Sequence, residues 1–288
     1  MKNNKQTILA CIDGSILSEA VCDYATWIAQ RVDTPLKLLH TIDHHHEKAE
    51  TTDLSGNFGI DGRDHLLEEM TDHEQQSSKL RIQQGKDLLK SAKQRVIQDG
   101  IIDPLSSLQH GGLIESLIEL EESIQTLVIG VRGKIHENQS DKIGAKIESL
   151  IRSLHRPILV VNSEFNAPQN IMIAYDGSEA AEKAVDMVAT SALYKGLTCH
   201  LVCAGKKATT DNLLEKAALK LSAGGGKEII TARLKGKAEH ELCEYQDSQN
   251  IDMTIMGAFS HTRIHDLLLG SFTVKMLVNT KRPILLLR

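Results

Sequence analysis

The chain has 288 residues, with 33 Lys and Arg against 38 Asp and Glu, so no basic surplus points to nucleic acid as a partner. It is 41% hydrophobic and 25% charged, the balance of a globular protein long enough for two domains rather than of a disordered chain. No run of about 18 apolar residues is present, which argues against a membrane-spanning helix.

Met1 to Gln6 runs directly into an apolar strand, Thr7-Ile8-Leu9-Ala10-Cys11-Ile12, without the apolar core of a signal peptide. The cytoplasm is the expected compartment. That strand ends at Asp13-Gly14-Ser15. A helix with Val21, Cys22, Ala25, Ile28 and Ala29 on one face comes next, and then a second strand, Leu36 to Ile42. The five cysteines form no C-x-x-C pair. Cys11, Cys199 and Cys203 fall in predicted strands and Cys22 on a helix's apolar face. All read as buried free thiols of a reducing compartment. Aromatic residues make up only 3%, so the core is expected to be aliphatic, with little to offer a base-stacking platform for nucleic acid.

A segment from about Asp43 to Lys79 interrupts the pattern. It starts Asp43-His44-His45-His46-Glu47 and becomes helical around Leu66, Leu67 and Met70. Consecutive histidines rarely face one centre and no second cluster with ligand spacing accompanies them, so a solvated loop is expected in preference to a zinc site. A further helix has Leu88, Leu89, Ala92 and Val96 on one face. Leu127-Val128-Ile129-Gly130 then reads as a strand ending in glycine, and Arg156-Pro157-Ile158-Leu159-Val160-Val161 as a terminal strand.

The pattern then repeats. Ile171 to Tyr175 ends at Asp176-Gly177-Ser178, and Asp176 comes 163 residues after Asp13. Its helix carries Ala181, Ala184, Val185, Val188 and Ala189 on one stripe, with Ser178 as the cap. Its second strand ends at Ala204, again 163 residues after Thr41. Thr254-Ile255-Met256-Gly257 repeats the glycine-ended strand at an offset of 127, and Arg282-Pro283-Ile284-Leu285 the terminal strand at 126. The drop from 163 to 127 measures about 36 extra residues in the first half. Each unit reads β-α-β-α-β-α-β-α-β, which predicts a parallel sheet covered by helices, with ligands at the strands' C-terminal ends. The expected units are 1–162, with the insertion at about 43–79, and 163–288.

In the second unit the strand ending at Gly257 leads through Ser260 and nine residues to Gly270-Ser271. A helix begins at Ser271, with Val274, Leu277 and Val278 expected on its buried face and Ser271 placed to cap it. Free backbone N–H groups and a helix N-terminus converging after glycines form a cradle for phosphate.

These residues resemble the universal stress protein family in its tandem, two-domain form, over nearly the whole chain. The family's loop is a glycine, two residues, a second glycine, nine residues, then glycine and Ser or Thr. The second unit matches it except for Ser260 at the second glycine. A Cβ there costs about 1–2 kcal/mol if the backbone needs φ > 0, which a hydroxyl donating to phosphate would offset. The resemblance implies an α/β fold of two tandem doubly wound five-stranded parallel-sheet domains, like the adenine nucleotide alpha hydrolases, related by a pseudo-two-fold axis. It implies ATP or another adenine nucleotide as ligand, with Mg as its optional companion. Carried over by position, Asp176 and the backbone near Ala204 would meet the base, and Met256 and Gly257 the ribose. Ser260, His261, Gly270, Ser271 and Thr273 would meet phosphate. The family's pairing through the fifth strand would join Pro157–Val160 to Pro283–Leu286 as an intramolecular pseudo-dimer, with a homodimer of chains as a further option.

The first unit departs more from the motif. Ten residues separate Gly133 from Gly144-Ala145, Ala145 lacks a hydroxyl, and Glu137 and Asp141 bring negative charge, partly balanced by Lys134 and Lys142. Weak or absent nucleotide binding is expected there. No G-x-x-x-x-G-K-[ST] sequence makes a P-loop, and no Asp pair for magnesium accompanies a base for water. His261 reads as a phosphate contact or a solvent-facing residue, and Ser178 lacks a G-x-S-x-G elbow. A non-enzymatic nucleotide-binding protein of stress response is the expected function. The alternative is a nucleotide-independent scaffold that docks a protein partner through the first unit's insertion.

Overall fold

The computed structural model describes residues 6–42, 60–133, 145–204, 210–224, 228–258 and 271–288. In the first half, strands β1 (Thr7–Cys11), β2 (Leu36–Ile42), β3 (Leu105–His110), β4 (Ile124–Gly130) and β5 (Ile158–Val161) alternate with helices. The helices are α1 (Ser18–Val32), α2 (Ile60–Gln98), α3 (Leu113–Leu120) and α4 (Ala145–Ser153). The second half repeats this as β6 (Asn170–Ala174), α5 (Glu179–Thr190), β7 (Thr198–Ala204), α6 (Thr210–Ala223) and β8 (Ile229–Leu234). It continues with α7 (Ala238–Ser248), β9 (Met253–Gly257), α8 (Ser271–Asn279) and β10 (Ile284–Leu287).

The strands form one sheet in the order β3-β2-β1-β4-β5-β10-β9-β6-β7-β8. Each half is a five-stranded parallel array whose order reverses direction at its first strand, between β1 and β4 and between β6 and β9. The two arrays meet through the antiparallel pair β5–β10, with Leu285 opposite Leu159. Apolar residues on both faces of the strands explain why helices cover both. Ile8, Ala10, Ile171 and Ile173 pack under α1, α2, α5 and α6. Leu9, Cys11, Met172 and Met256 pack under α3, α4, α7 and α8. Arg31 ties the halves together, its Nε donating to the Leu193 carbonyl at 2.7 Å. Tyr24 and Phe165 meet edge to face at 4.8 Å between ring centroids.

The insertion differs from expectation in one respect. In place of two helices, α2 is a single helix of 39 residues. The stretch between the two apolar patterns contains no proline, and Gly85, the glycine within it, is used for contact. A Cβ there would lie 2.9 Å from both the His40 ring and Leu108. Gly85 thus gives up about 1 kcal/mol of helix propensity and lets α2 approach β2 closely. The His44-His45-His46 stretch lies outside the described residues, as do Gly144, Glu137 and Asp141. On α8 the fully buried residues are Thr273, Met276 and Leu277, with Val274 partly buried against the same core, so the inner face is turned toward Thr273 and Met276 relative to the Val274–Leu277–Val278 stripe read from sequence.

Cys11, Cys22, Cys199 and Cys203 are buried and free, as their strand and helix positions predict, whereas Cys243 is free but only half-buried. Burial, with Asp23 adding to it, pushes the Cys22 thiol up to about 12, so it stays protonated and unreactive at neutral pH. Among the described residues no helix is long and apolar enough to cross a membrane.

Candidate functional site

The site begins with a local turn. Glycine at 177 adopts φ +75°, a conformation costly for any residue with a Cβ. This bend lets the Ser178 N–H donate to Asp176 Oδ1 at 3.0 Å, while Ser178 Oγ accepts from the Ala181 N–H at 3.2 Å and caps α5. The sequence Asp-Gly-Ser therefore holds the Asp176 carboxylate at the C-terminal rim of the sheet. The first half builds the same turn. Gly14 has φ +74°, and Asp13 Oδ1 accepts from the Ser15 N–H at 3.0 Å and from the Ser18 hydroxyl at 3.2 Å.

Strand register brings the other residues to that rim. Ala174 pairs with Met256 on one side and with Val202 on the other. Asp176 and Ala204 therefore stand at one level, with Gly257 one residue short of it on β9. They line a cleft of about 150 Å³ together with Ala174, Tyr175, Ser178, Val202, Met256, Ala238, Leu242 and Phe272. Helices α7 and α8 close it on one face. Among the described residues its walls are mainly aliphatic and aromatic, with polar side chains at Tyr175, Asp176 and Ser178. Such a slot accepts a flat, mainly apolar group with polar edges.

Of the residues singled out in the sequence, Asp176, Ala204, Met256 and Gly257 converge on this cleft. Ser271 is itself the first residue of α8 and is exposed. Ser260, His261 and Gly270 lie outside the described residues. Thr273 departs from the expected phosphate role. It is 1% exposed, and its hydroxyl donates to the Ala258 carbonyl at 2.7 Å, tying α8 to the end of β9.

Several lining residues are not evident from sequence motifs. Val202 could have been found, because it shares Ala204's strand face two residues away. Ala238, Leu242 and Phe272 could not, since only the docking of α7 and α8 brings them in. Tyr175 is buried and its hydroxyl donates to Glu182. Burial first, and the Glu182 carboxylate second, push that phenol well above its ordinary range, so it remains a donor.

The first half differs at the matching positions. Ala180 corresponds to Leu17 at the 163-residue offset, and Ala238, the first residue of α7, to Leu113, the first residue of α3. Leu17 is buried, with its Cβ 3.3 Å from where a Cβ on Gly130 would lie. A cavity of about 540 Å³ lies instead on the α2 side of that rim, between Asp13, Gly14, His40 to Ile42, and Arg81, Gln84, Gly85 and Leu88.

The model of the Universal stress protein family matches residues 5–162 and again residues 168–288. The chain belongs to the universal stress protein family. It is a tandem member, with one match in each half. It is 33% identical to Universal stress protein Slr1230 of Synechocystis sp., over 100% of both chains. Among solved structures it resembles a universal stress protein from Archaeoglobus fulgidus, with a TM-score of 0.67 and 16% identity, covering 98% of this chain and 96% of that one. A functionally unknown protein of Pseudomonas aeruginosa matches with a TM-score of 0.60 and 15% identity, over 98% and 92% of the two chains. Both structural likenesses, at 16% and 15% identity, concern the fold alone.

Proposed function

We propose that this tandem universal stress protein binds an adenine nucleotide, ATP foremost, in its second unit, 163–288, and acts in stress response as a ligand-loaded signalling protein without turnover. The observation that carries the reading is the shared cleft of Asp176, Ala204, Met256 and Gly257 at the strand ends, where α8 begins. A carboxylate beside an apolar slot suits an adenine edge, whose amino group donates while its ring seeks apolar contact. Ser271 at the start of α8, with Ser260, His261 and Gly270 from the preceding loop, would receive the phosphates through N–H donors and the helix dipole. Magnesium, where present, would travel with the phosphate oxygens. Asp176 stands on the base side and is remote in role from water activation at a γ-phosphate, so binding rather than hydrolysis is the proposed activity.

The first unit, 1–162, is proposed as an architectural partner that binds nucleotide weakly or not at all. Leu17 and Leu113 at the positions of Ala180 and Ala238 support that assignment. The 39-residue α2 supports a second role for it, docking of a protein partner by the first unit.

The test is calorimetric titration of the purified full chain with ATP, joined to mass spectrometry of any ligand it releases. One adenine nucleotide per chain is expected. Gly270→Val should abolish the ATP-induced rise in melting temperature, because its side chain would occupy the phosphate site. A rise that survives moves the site elsewhere, and persistent absence of nucleotide leaves the docking role alone.

A further inference from the structure

We infer that Phe272 is the wall against which the ligand's base rests, and that its ring, separately from the phosphate loop, sets base affinity. This rests on the nucleotide reading above and adds a residue and a role to it. Phe272 lies in the first turn of α8 and lines the cleft beside Asp176, Ala204, Leu242, Met256 and Gly257. Its neighbours Thr273, Met276 and Leu277 are buried in the core, while Phe272 is only half-buried and turned to the cleft.

The size of the cleft favours the contact. Whole drug-sized ligands occupy pockets of roughly 300–1,000 Å³. A cleft of about 150 Å³ is too small for a whole nucleotide and suits its planar portion, with the phosphates toward the start of α8. A planar ring that enters beside Asp176 and Ala204 shares this small space with Phe272. The chain has only four phenylalanines and an aliphatic core, so an aromatic ring here is not the default filling. At the 126-residue offset of the terminal strands, the first half has Lys146, which offers no ring.

The experiment compares adenosine and ATP binding by calorimetry in the full-length wild type, Phe272→Ala, Phe272→Leu, Phe272→Tyr and Gly270→Val. Loss of the aromatic contact should weaken adenosine and ATP by the same factor, about tenfold for Phe272→Ala. Phe272→Leu, which keeps apolar bulk without a ring, should fall between, and Phe272→Tyr should retain wild-type affinity. Gly270→Val should weaken ATP far more than adenosine. Should Phe272→Ala destabilise the fold, the Leu and Tyr variants decide alone, since a merely structural role predicts equal affinity in both. Equal affinities across the Phe272 series, or a loss for ATP without one for adenosine, would overturn the inference while leaving nucleotide binding intact. A wild type that binds neither ligand overturns the nucleotide reading itself, and this inference with it.

Discussion

Gly257 and Ala180 stand so close that a Cβ on the glycine would lie 2.8 Å from the alanine methyl. A methyl group at the start of α5 therefore faces a glycine at the mouth of the second-unit cleft. In the first unit the same pair is Leu17 and Gly130, and the leucine is buried against the glycine. One repeat position thus separates an open rim from one filled on that side.

That relationship predicts the effect of Ala180→Leu. The larger side chain would press against Gly257 and take space from the cleft. It should cost about 1–3 kcal/mol of stability through overpacking. It should also remove any ATP-induced rise in melting temperature, even at concentrations that saturate the wild type. Urea and thermal unfolding with and without ATP read both quantities. An undiminished ATP shift in a folded Ala180→Leu protein would mean that the ligand sits away from this pair.

Thr273→Val separates a tether from a ligand contact. The hydroxyl donates to the Ala258 carbonyl inside the fold. Removing it leaves a buried carbonyl short of a donor and should cost about 1–3 kcal/mol in urea unfolding. Nucleotide affinity measured well below the unfolding transition should stay within about twofold, a few tenths of a kcal/mol. Loss of affinity with stability unchanged would restore Thr273 to the phosphate site.

His200 gives a pH dependence with a definite sign. It is buried in β7, its Nδ1 is 2.9 Å from the Tyr245 hydroxyl, and the two rings meet edge to face at 5.7 Å. Burial lowers its pKa below the ordinary imidazole value of 6.5, only partly opposed by the charge of Glu228. The unfolded chain therefore binds the proton more readily than the folded one. The contribution favours folding above pH 6.5, falls as the pH drops from 6.5 to the depressed folded value, and is constant below that. In His200→Gln the decline of stability from about pH 7.5 to about pH 5 should be shallower than in wild type. Superimposable profiles for the two proteins would remove His200 as a contributor.

The sequence was informative about this site wherever backbone chemistry governs it. Asp13-Gly14-Ser15 and Asp176-Gly177-Ser178 fold as matching turns because only glycine adopts that φ cheaply and a short acid can then take the N–H two residues on. The cleft's strand-end residues were legible because a parallel strand that ends in glycine at a switch point delivers the next residues to the rim. Residues carried by α7 and α8 were not, since periodicity tells that a helix has a buried face but not which residue of it meets a given strand end. The rotation of the inner face of α8 toward Thr273 shows the size of that gap. It removes Thr273 from the cleft and leaves Phe272 within it.

By itself the amino-acid sequence determined the duplicated α/β plan, the aliphatic core, the buried thiols and the rim position of Asp176. Each arises from local propensity, apolar runs or repeat spacing, which are properties of short stretches of chain. Tertiary structure alone decided that pairing of β5 with β10 merges both arrays into one ten-stranded sheet, that α2 is unbroken, and that Leu17 and Ala180 leave their two rims differently filled. Those outcomes depend on the distances at which separate elements pack, and close packing fixes them only when the whole chain has assembled.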